Sequence, residues 1–215
     1  IETHHPYVDH RDEYPFDVDD EERARQLSAI RATDVLLGEL FEALEARGLE
    51  DSTWVLVTGD HGESFGQHGQ RMHSFGVYEP TVHVPCVLVG PGLAPGLRRD
   101  CGLREQVDIP ATFAGLAGVP RPAVWQGRNL LSAEGHERVY FFAVGNDVQL
   151  GVREESLKYH YHVRSRHDEL FDLANDPHEL ENLAEQLPDD CARFRRRVGG
   201  LVRWQRELMA RHGSR

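Results

Sequence analysis

Between residues 59 and 73 this chain gathers four glycines, three histidines and an aspartate: Gly59-Asp60-His61-Gly62, then Gly66, His68, Gly69 and His73. A carboxylate and an imidazole side by side can share a divalent metal ion. Glycines on either side let the backbone come close to a ligand. An Asp-His-Gly triplet on its own is a weak signal. The two further histidines and the apolar run that precedes it raise its weight, and Asp60 and His61 are the predicted metal ligands. His68 is predicted to orient one of them, since metal ligands need outer partners. A second pair, His4 and His5, stands before Pro6, which restricts His5 to an extended or turn backbone and sends the two side chains apart. By itself, such an opening reads as a surface turn.

Those residues need elements to hold them. Trp54–Val57 is a short apolar, β-branched run of the kind that fills a strand buried on both faces of a parallel sheet. In open α/β sheets ligands sit beyond the carboxyl ends of such strands, which is where Asp60 and His61 fall. A helix is predicted upstream from about Asp20 to Arg47, with Asp19 and Glu22 as a capping box and Gly48 as its stop. Leu27, Ile30, Leu37, Leu40, Phe41 and Leu44 recur at helical spacing as its core-facing stripe, and Asp34 beside them reads as a polar contact. Helix then strand makes one unit of a doubly wound sheet.

Beyond the polar loop Glu63–Val77, Tyr78-Glu79-Pro80 is expected to turn into a second apolar strand, Val82–Val89, with Cys86 in the core. Gly90-Pro91-Gly92 ends it, and Leu93–Asp100 reads as a loop. Asp108 is expected to cap a short helix with Pro110 in its first turn and Phe113, Leu116 and Ala117 on its buried side. From about residue 136 four short β-type segments separated by turns predict an antiparallel meander. A helix from Leu187 to about Arg211 would pack on it through Phe194, Val198, Leu201, Val202 and Leu208, its arginines turned to water.

The 215 residues carry a formal net charge of -12, which excludes a general nucleic-acid surface, because such binding draws on clustered Lys and Arg. Any anionic substrate must be recognised locally. Lys158 is the only lysine. No apolar segment approaches the length of a signal peptide or membrane span. Three cysteines, Cys86, Cys101 and Cys191, imply no disulfide framework.

The motifs, taken in order, resemble the sulfatase family of the alkaline-phosphatase superfamily. They are Asp60-His61-Gly62-Glu63, Phe65-Gly66-Gln67-His68-Gly69, a histidine shortly before Val77-Tyr78-Glu79, and His83-Val84-Pro85 followed by Val87–Gly92. Further on come Val107-Asp108-Ile109-Pro110-Ala111-Thr112, then Glu169-Leu170-Phe171-Asp172-Leu173 with Asp176-Pro177, Glu179 and Asn182-Leu183. The resemblance spans most of the chain. It implies an α/β fold: the C-terminal part of a doubly wound mixed sheet in residues 1–135, and a small α+β subdomain with antiparallel strands and a C-terminal helix in 136–215.

The resemblance also implies sulfate monoester hydrolysis. His4 falls on a His-x-Pro motif that contacts the sulfate or its leaving oxygen, with His5 on the variable position. His73 matches a branch using histidine where many members have a lysine. A divalent cation is implied, Ca2+ first, although the nitrogen of His61 suits zinc or manganese by softness, and Mg2+, Mn2+ and Zn2+ are the alternatives. The nucleophile, a formylglycine, two acidic ligands and an arginine would lie upstream of Ile1, so the 215 residues alone are expected to be inactive. The substrate would be a small-molecule or carbohydrate sulfate ester. Two rivals share these residues: a metal-dependent phosphodiesterase or phosphoglycerol/phosphoethanolamine transferase of the superfamily, and a non-catalytic binding descendant.

Overall fold

The computed structural model describes residues 3–73, 76–94, 96, 102–145 and 147–212. The expectations that fell on Ser74, Cys101, Asn146 and much of Leu93–Asp100 therefore lie outside the described residues. The chain forms two compact bodies, Ile1–His73 with His83–Leu97, and Ser74–Val82 with Arg98–Arg215.

In the first body, helix α1 runs Glu21–Glu45. Its N-cap is Asp20, whose carboxylate accepts from Arg23 N at 3.0 Å, and not the predicted Asp19. The stop is as expected. Gly48 takes φ 62°, and the bonds Gly48 N to Glu45 O and Leu49 N to Leu44 O close the helix end. Gly48→Ala is expected to cost roughly 1–2 kcal/mol, the penalty of a left-handed backbone with a Cβ, checked by urea denaturation. The predicted stripe is corrected in part: Leu27, Leu37, Phe41 and Leu44 are half-buried. The buried side of α1 is made of small residues, Ala24, Ser28, Ala29 and Ala32, while Ile30 and Leu40 are exposed.

Strand β1, Val55–Thr58, pairs antiparallel with β4, Cys86–Val89, in the register Val55 to Val89 and Thr58 to Cys86. This corrects the expectation of a doubly buried parallel strand. β1 is half-buried, and Cys86, Val87 and Val89 are exposed, so Cys86 is not a core residue here. Two short strands, β2 (Ser64–Phe65) and β3 (Arg71–Met72), pair with each other, and Arg71 reaches back to Asp20 and Glu22 at 2.8 and 3.0 Å. That hairpin frames the loop that ends at His73.

In the second body, Glu79–Val82 forms a helical turn, α2, so the strand predicted to begin at Val82 starts only at Cys86. Helix α3 spans Asp108–Leu116. Asp108 is not its cap. It is fully buried, with its carboxylate accepting from Glu105 N (3.0 Å), Arg128 N (2.7 Å) and His136 Nε2 (2.7 Å). It ties the loops on either side of the helix together.

Strands β5 (Arg138–Val144), β6 (Val148–Glu154), β7 (Leu157–His162) and β8 (His167–Asp172) form an antiparallel meander in sequence order, covered by helix α4, Pro188–His212. Side chains alternate across a strand. On one face Val152, Tyr159 and Leu170 meet Cys191, Phe194 and Val198 of α4 in the core, whereas Leu208 is exposed. The arginines of α4 are not all free in water. Arg193 bonds Glu154 and Asp190, Arg195 bonds Asp168, and Arg197 lies 3.3 Å from Glu154.

The other face of β7 is charged. Lys158, entirely buried, places Nζ 2.8 Å from Glu79 Oε1 and 2.9 Å from Glu179 Oε1, and Glu79 N donates to Glu179 Oε2 at 2.7 Å. His160 lies between Glu169 and Glu179, 3.5 Å from each, and Tyr78 donates to Glu169 at 2.7 Å. Buried charges persist only when paired, and this network fixes the segment Tyr78–Glu79 to the sheet.

Candidate active site

Strand β1 delivers Asp60 and His61 just beyond its carboxyl end. Gly59 gives the turn room. A Cβ there would lie 3.1 Å from the carbonyl oxygen of His61 and 3.4 Å from Val84. The structure then brings three imidazoles together: His4, His61 and His73 each offer a ligand nitrogen, all within 4.8 Å of one another. The rings of His61 and His73 stack with centroids 4.2 Å apart, and His4 meets His73 edge-on at 4.8 Å.

Each of these rings has its Nδ1 against an oxygen. His4 Nδ1 lies 2.6 Å from His5 O, His61 Nδ1 2.9 Å from Gly62 O, and His73 Nδ1 3.3 Å from Glu63 Oε2. A carbonyl or a carboxylate can only accept, so Nδ1 carries the proton in all three. Each Nε2 can then keep a free lone pair.

Glu63 was not singled out as a site residue by sequence reasoning, although it completes the Asp-His-Gly-Glu motif. Its side chain is 6 % exposed, and Oε2 also accepts the phenol of Tyr7 at 2.8 Å. Burial, then that hydrogen bond and the charge of Glu63, push the Tyr7 hydroxyl far above its ordinary value, so Tyr7 is a neutral donor. Glu63 Oε1 is buried and finds no hydrogen-bond partner among the described residues. Tyr7 and Glu63 lie 56 positions apart, and no local pattern in the sequence joins them.

The other predicted residues lie around this cluster. Asp60 has a side chain 92 % exposed, with Oδ2 3.9 Å from His61 Nε2, and it stands outside the three-imidazole group. His68 sits in a 3-10 turn, Gln67–Gly69, at φ 54°. His5 turns to Glu22, 3.7 Å away, and stacks edge-on with Tyr7, so His4 and His5 do take different neighbours.

Asp60 and His61 fit a divalent cation only in part. They supply one carboxylate and one imidazole, whereas calcium takes about six to eight oxygens. The clustered donors are nitrogens. Calcium is therefore not satisfied by the described residues.

Comparison with known proteins bears on the same residues. The family model described as Sulfatase matches residues 1–119, and that of N-sulphoglucosamine sulphohydrolase, C-terminal, matches residues 66–191. Arylsulfatase K of Mus musculus is 29% identical over 208 residues, covering 88% of this chain and 37% of the relative. Choline-sulfatase of Rhizobium meliloti (strain 1021) is 33% identical over 184 residues, covering 79% and 35%. The chain thus spans well under half the length of these curated relatives.

Among solved structures, the putative sulfatase yidJ from Bacteroides fragilis superposes with a TM-score of 0.74 at 24% identity, covering 86% of this chain and 43% of that one. BT4656, solved in complex with its substrate D-glucosamine-2-N,6-O-disulfate, gives 0.66 at 22% identity, covering 89% and 41%. These establish the fold, a mixed α/β arrangement with antiparallel sheets and a C-terminal helix. No helix among the described residues is long and apolar enough to cross a membrane. With the family model matching more than half of its residues, the chain belongs to the sulfatase family.

Proposed function

We propose that this chain carries part of the active site of a sulfuric ester hydrolase, with residues 1–135 contributing to the α/β core and 136–215 forming the small subdomain. The observation that carries the reading is the convergence of His4, His61 and His73 in a sulfatase-family chain. Members of the family generally use a divalent metal and a formylglycine. Asp60 and His61 would be this chain's contribution to the metal, Ca2+ by family or Mg2+, Mn2+ or Zn2+. The remaining ligands would have to come from outside the 215 residues.

The chain's own residues do the following. His4 contacts the sulfate or its leaving oxygen. His73, held by Glu63 through Nδ1, gives a proton from Nε2 to the departing alcohol oxygen when its ring is doubly protonated and the Glu63 carboxylate faces the resulting cation. His5 and His68 are supporting groups. The substrate is a sulfate ester of a sugar or small alcohol, in keeping with the substrates named for BT4656 and choline-sulfatase.

The test is turnover of aryl and sugar sulfates against matched phosphate diesters by the longest native polypeptide that contains these residues, with a divalent cation. Sulfate hydrolysis at least tenfold faster than diester hydrolysis is expected, and the 215 residues alone should give none with added calcium. Preference for the diester would move the protein to the phosphodiesterase or transferase rival. Binding of sulfated sugars without turnover would mark a non-catalytic descendant.

A further inference from the structure

The donor set of the histidine cluster disagrees with a hard, oxygen-preferring ion, and the disagreement has its own consequence. We propose that His4, His61 and His73 form a binding site for a borderline divalent transition-metal ion of the Zn2+ type, with Glu63 as its outer carboxylate.

Three observations support this site. The ligand nitrogens already lie within 4.8 Å of one another. Zinc–nitrogen bonds of about 2.0–2.1 Å in a tetrahedron place such nitrogens about 3.4 Å apart, so side-chain rotations of an ångström or so close the site. Every ring has its Nδ1 proton taken by an oxygen, which leaves Nε2 as the free donor, the arrangement in which imidazoles bind metals.

Glu63 supplies the third observation. It is 6 % exposed, it holds His73 from behind as the carboxylate of a carboxylate–histidine–metal triad, and its second oxygen is buried without a hydrogen-bond partner among the described residues. Three imidazoles with an open fourth position match a zinc coordination set and not a calcium one. The site stands on this geometry and does not depend on sulfate hydrolysis. It shares His61 with the proposed cation site and both His4 and His73 with the proposed substrate contacts, so a zinc-type ion would compete for those groups.

The experiment is calorimetric titration of the 215-residue chain with ZnCl2, and with CoCl2 followed by visible absorption. One equivalent of each metal is expected, with the intense visible bands of four-coordinate cobalt. His4→Ala, His61→Ala and His73→Ala should each weaken binding about a hundredfold or more, and Glu63→Gln about ten- to hundredfold. Asp60→Asn should change it less than threefold, because Asp60 lies outside the cluster, and His162→Ala, in the meander of the second body, should leave it unchanged. Because His4 and His61 are exposed, their variants should keep the circular dichroism of the parent. Binding unaffected by His4→Ala or His61→Ala, loss only with Asp60→Asn, displacement by equimolar CaCl2, or no binding would overturn the site. None of these outcomes depends on ester turnover, so failure here and failure of the hydrolase reading are separately visible.

Discussion

Replacing Lys158 with methionine is expected to cost about 3–5 kcal/mol of folding stability, because it takes the nearest cation from two carboxylates and leaves Glu79 with Arg153 at 3.8 Å. Lys158 Nζ lies 2.8 Å from Glu79 and 2.9 Å from Glu179, and neither Lys158 nor Glu179 has any exposed side-chain surface. A methionine of similar length fills the space but leaves both negative charges buried. Arginine should not rescue it, since a planar guanidinium needs more room than an ammonium in a fully packed site. Lys158 is the only lysine among 24 basic residues, and it occupies the place where a compact cation is required. The measurement is guanidinium or urea denaturation of parent, Lys158→Met and Lys158→Arg. A loss below about 1 kcal/mol for methionine would mean that the network contributes little net stability.

The same network sets a pH dependence. Burial alone would raise Glu179, but His160, with Nε2 3.5 Å from Glu179 Oε1, and the charge of Lys158 outweigh that and bring it down from 4.5 to about 2. A carboxylate lowered on folding stabilises above its unfolded pKa and loses that contribution as pH falls through the folded one. Stability should therefore fall between about pH 4.5 and about pH 2, and Lys158→Met should move the fall to higher pH. His162 acts oppositely. Its hydrogen bond to Glu169 raises it above 6.5, so its contribution is complete below that pH and is lost as pH rises through the raised value.

The second large effect is on catalysis. In the longest native polypeptide, His73→Ala is expected to lower kcat for alkyl sulfates about a hundred- to ten-thousandfold, the usual share of a general acid. His73 is 20 % exposed on a loop, so its removal should not unfold the chain. The leaving group provides the control. A nitrophenolate departs without needing a proton, so the loss for nitrophenyl sulfate should be at least tenfold smaller than for an alkyl or sugar sulfate. Glu63→Gln keeps an acceptor for His73 Nδ1 but removes the charge, and its effect should follow the same order of leaving groups at smaller size. Equal losses on both substrates would show that His73 binds the sulfate and does not donate the proton.

Some of this was legible in the residues because it is local. Gly48 had to end α1, since glycine adopts φ 62° without a Cβ penalty. The meander from residue 138 and the apolar phase of Phe194 and Val198 followed from periodicities of two and 3.6. Asp60 and His61 stood out because an apolar run stops abruptly between glycines. The prediction went astray where spacing says nothing about neighbours. Ile30 and Leu40 have the right period on α1, yet the buried side in this structure is the row of alanines, and Cys86 lies in an apolar strand that leaves it exposed. Asp108 has a capping residue's position, but its carboxylate is used on loops 20 and 28 positions away.

The order of motifs along the chain determined the family, the elements and most of the histidines worth watching, because these depend on residue type and short-range periodicity. Tertiary structure alone decided that positions 4, 61 and 73 share one cluster. It also decided that Tyr7 and Glu63 stand behind His73, that β1 runs antiparallel to β4, and that Lys158 is sealed between two glutamates. The physical reason is the same for the three side-chain groupings. A buried charge or an imidazole takes its chemistry from groups within a few ångströms, and chain folding brings those groups from positions that sequence spacing does not connect.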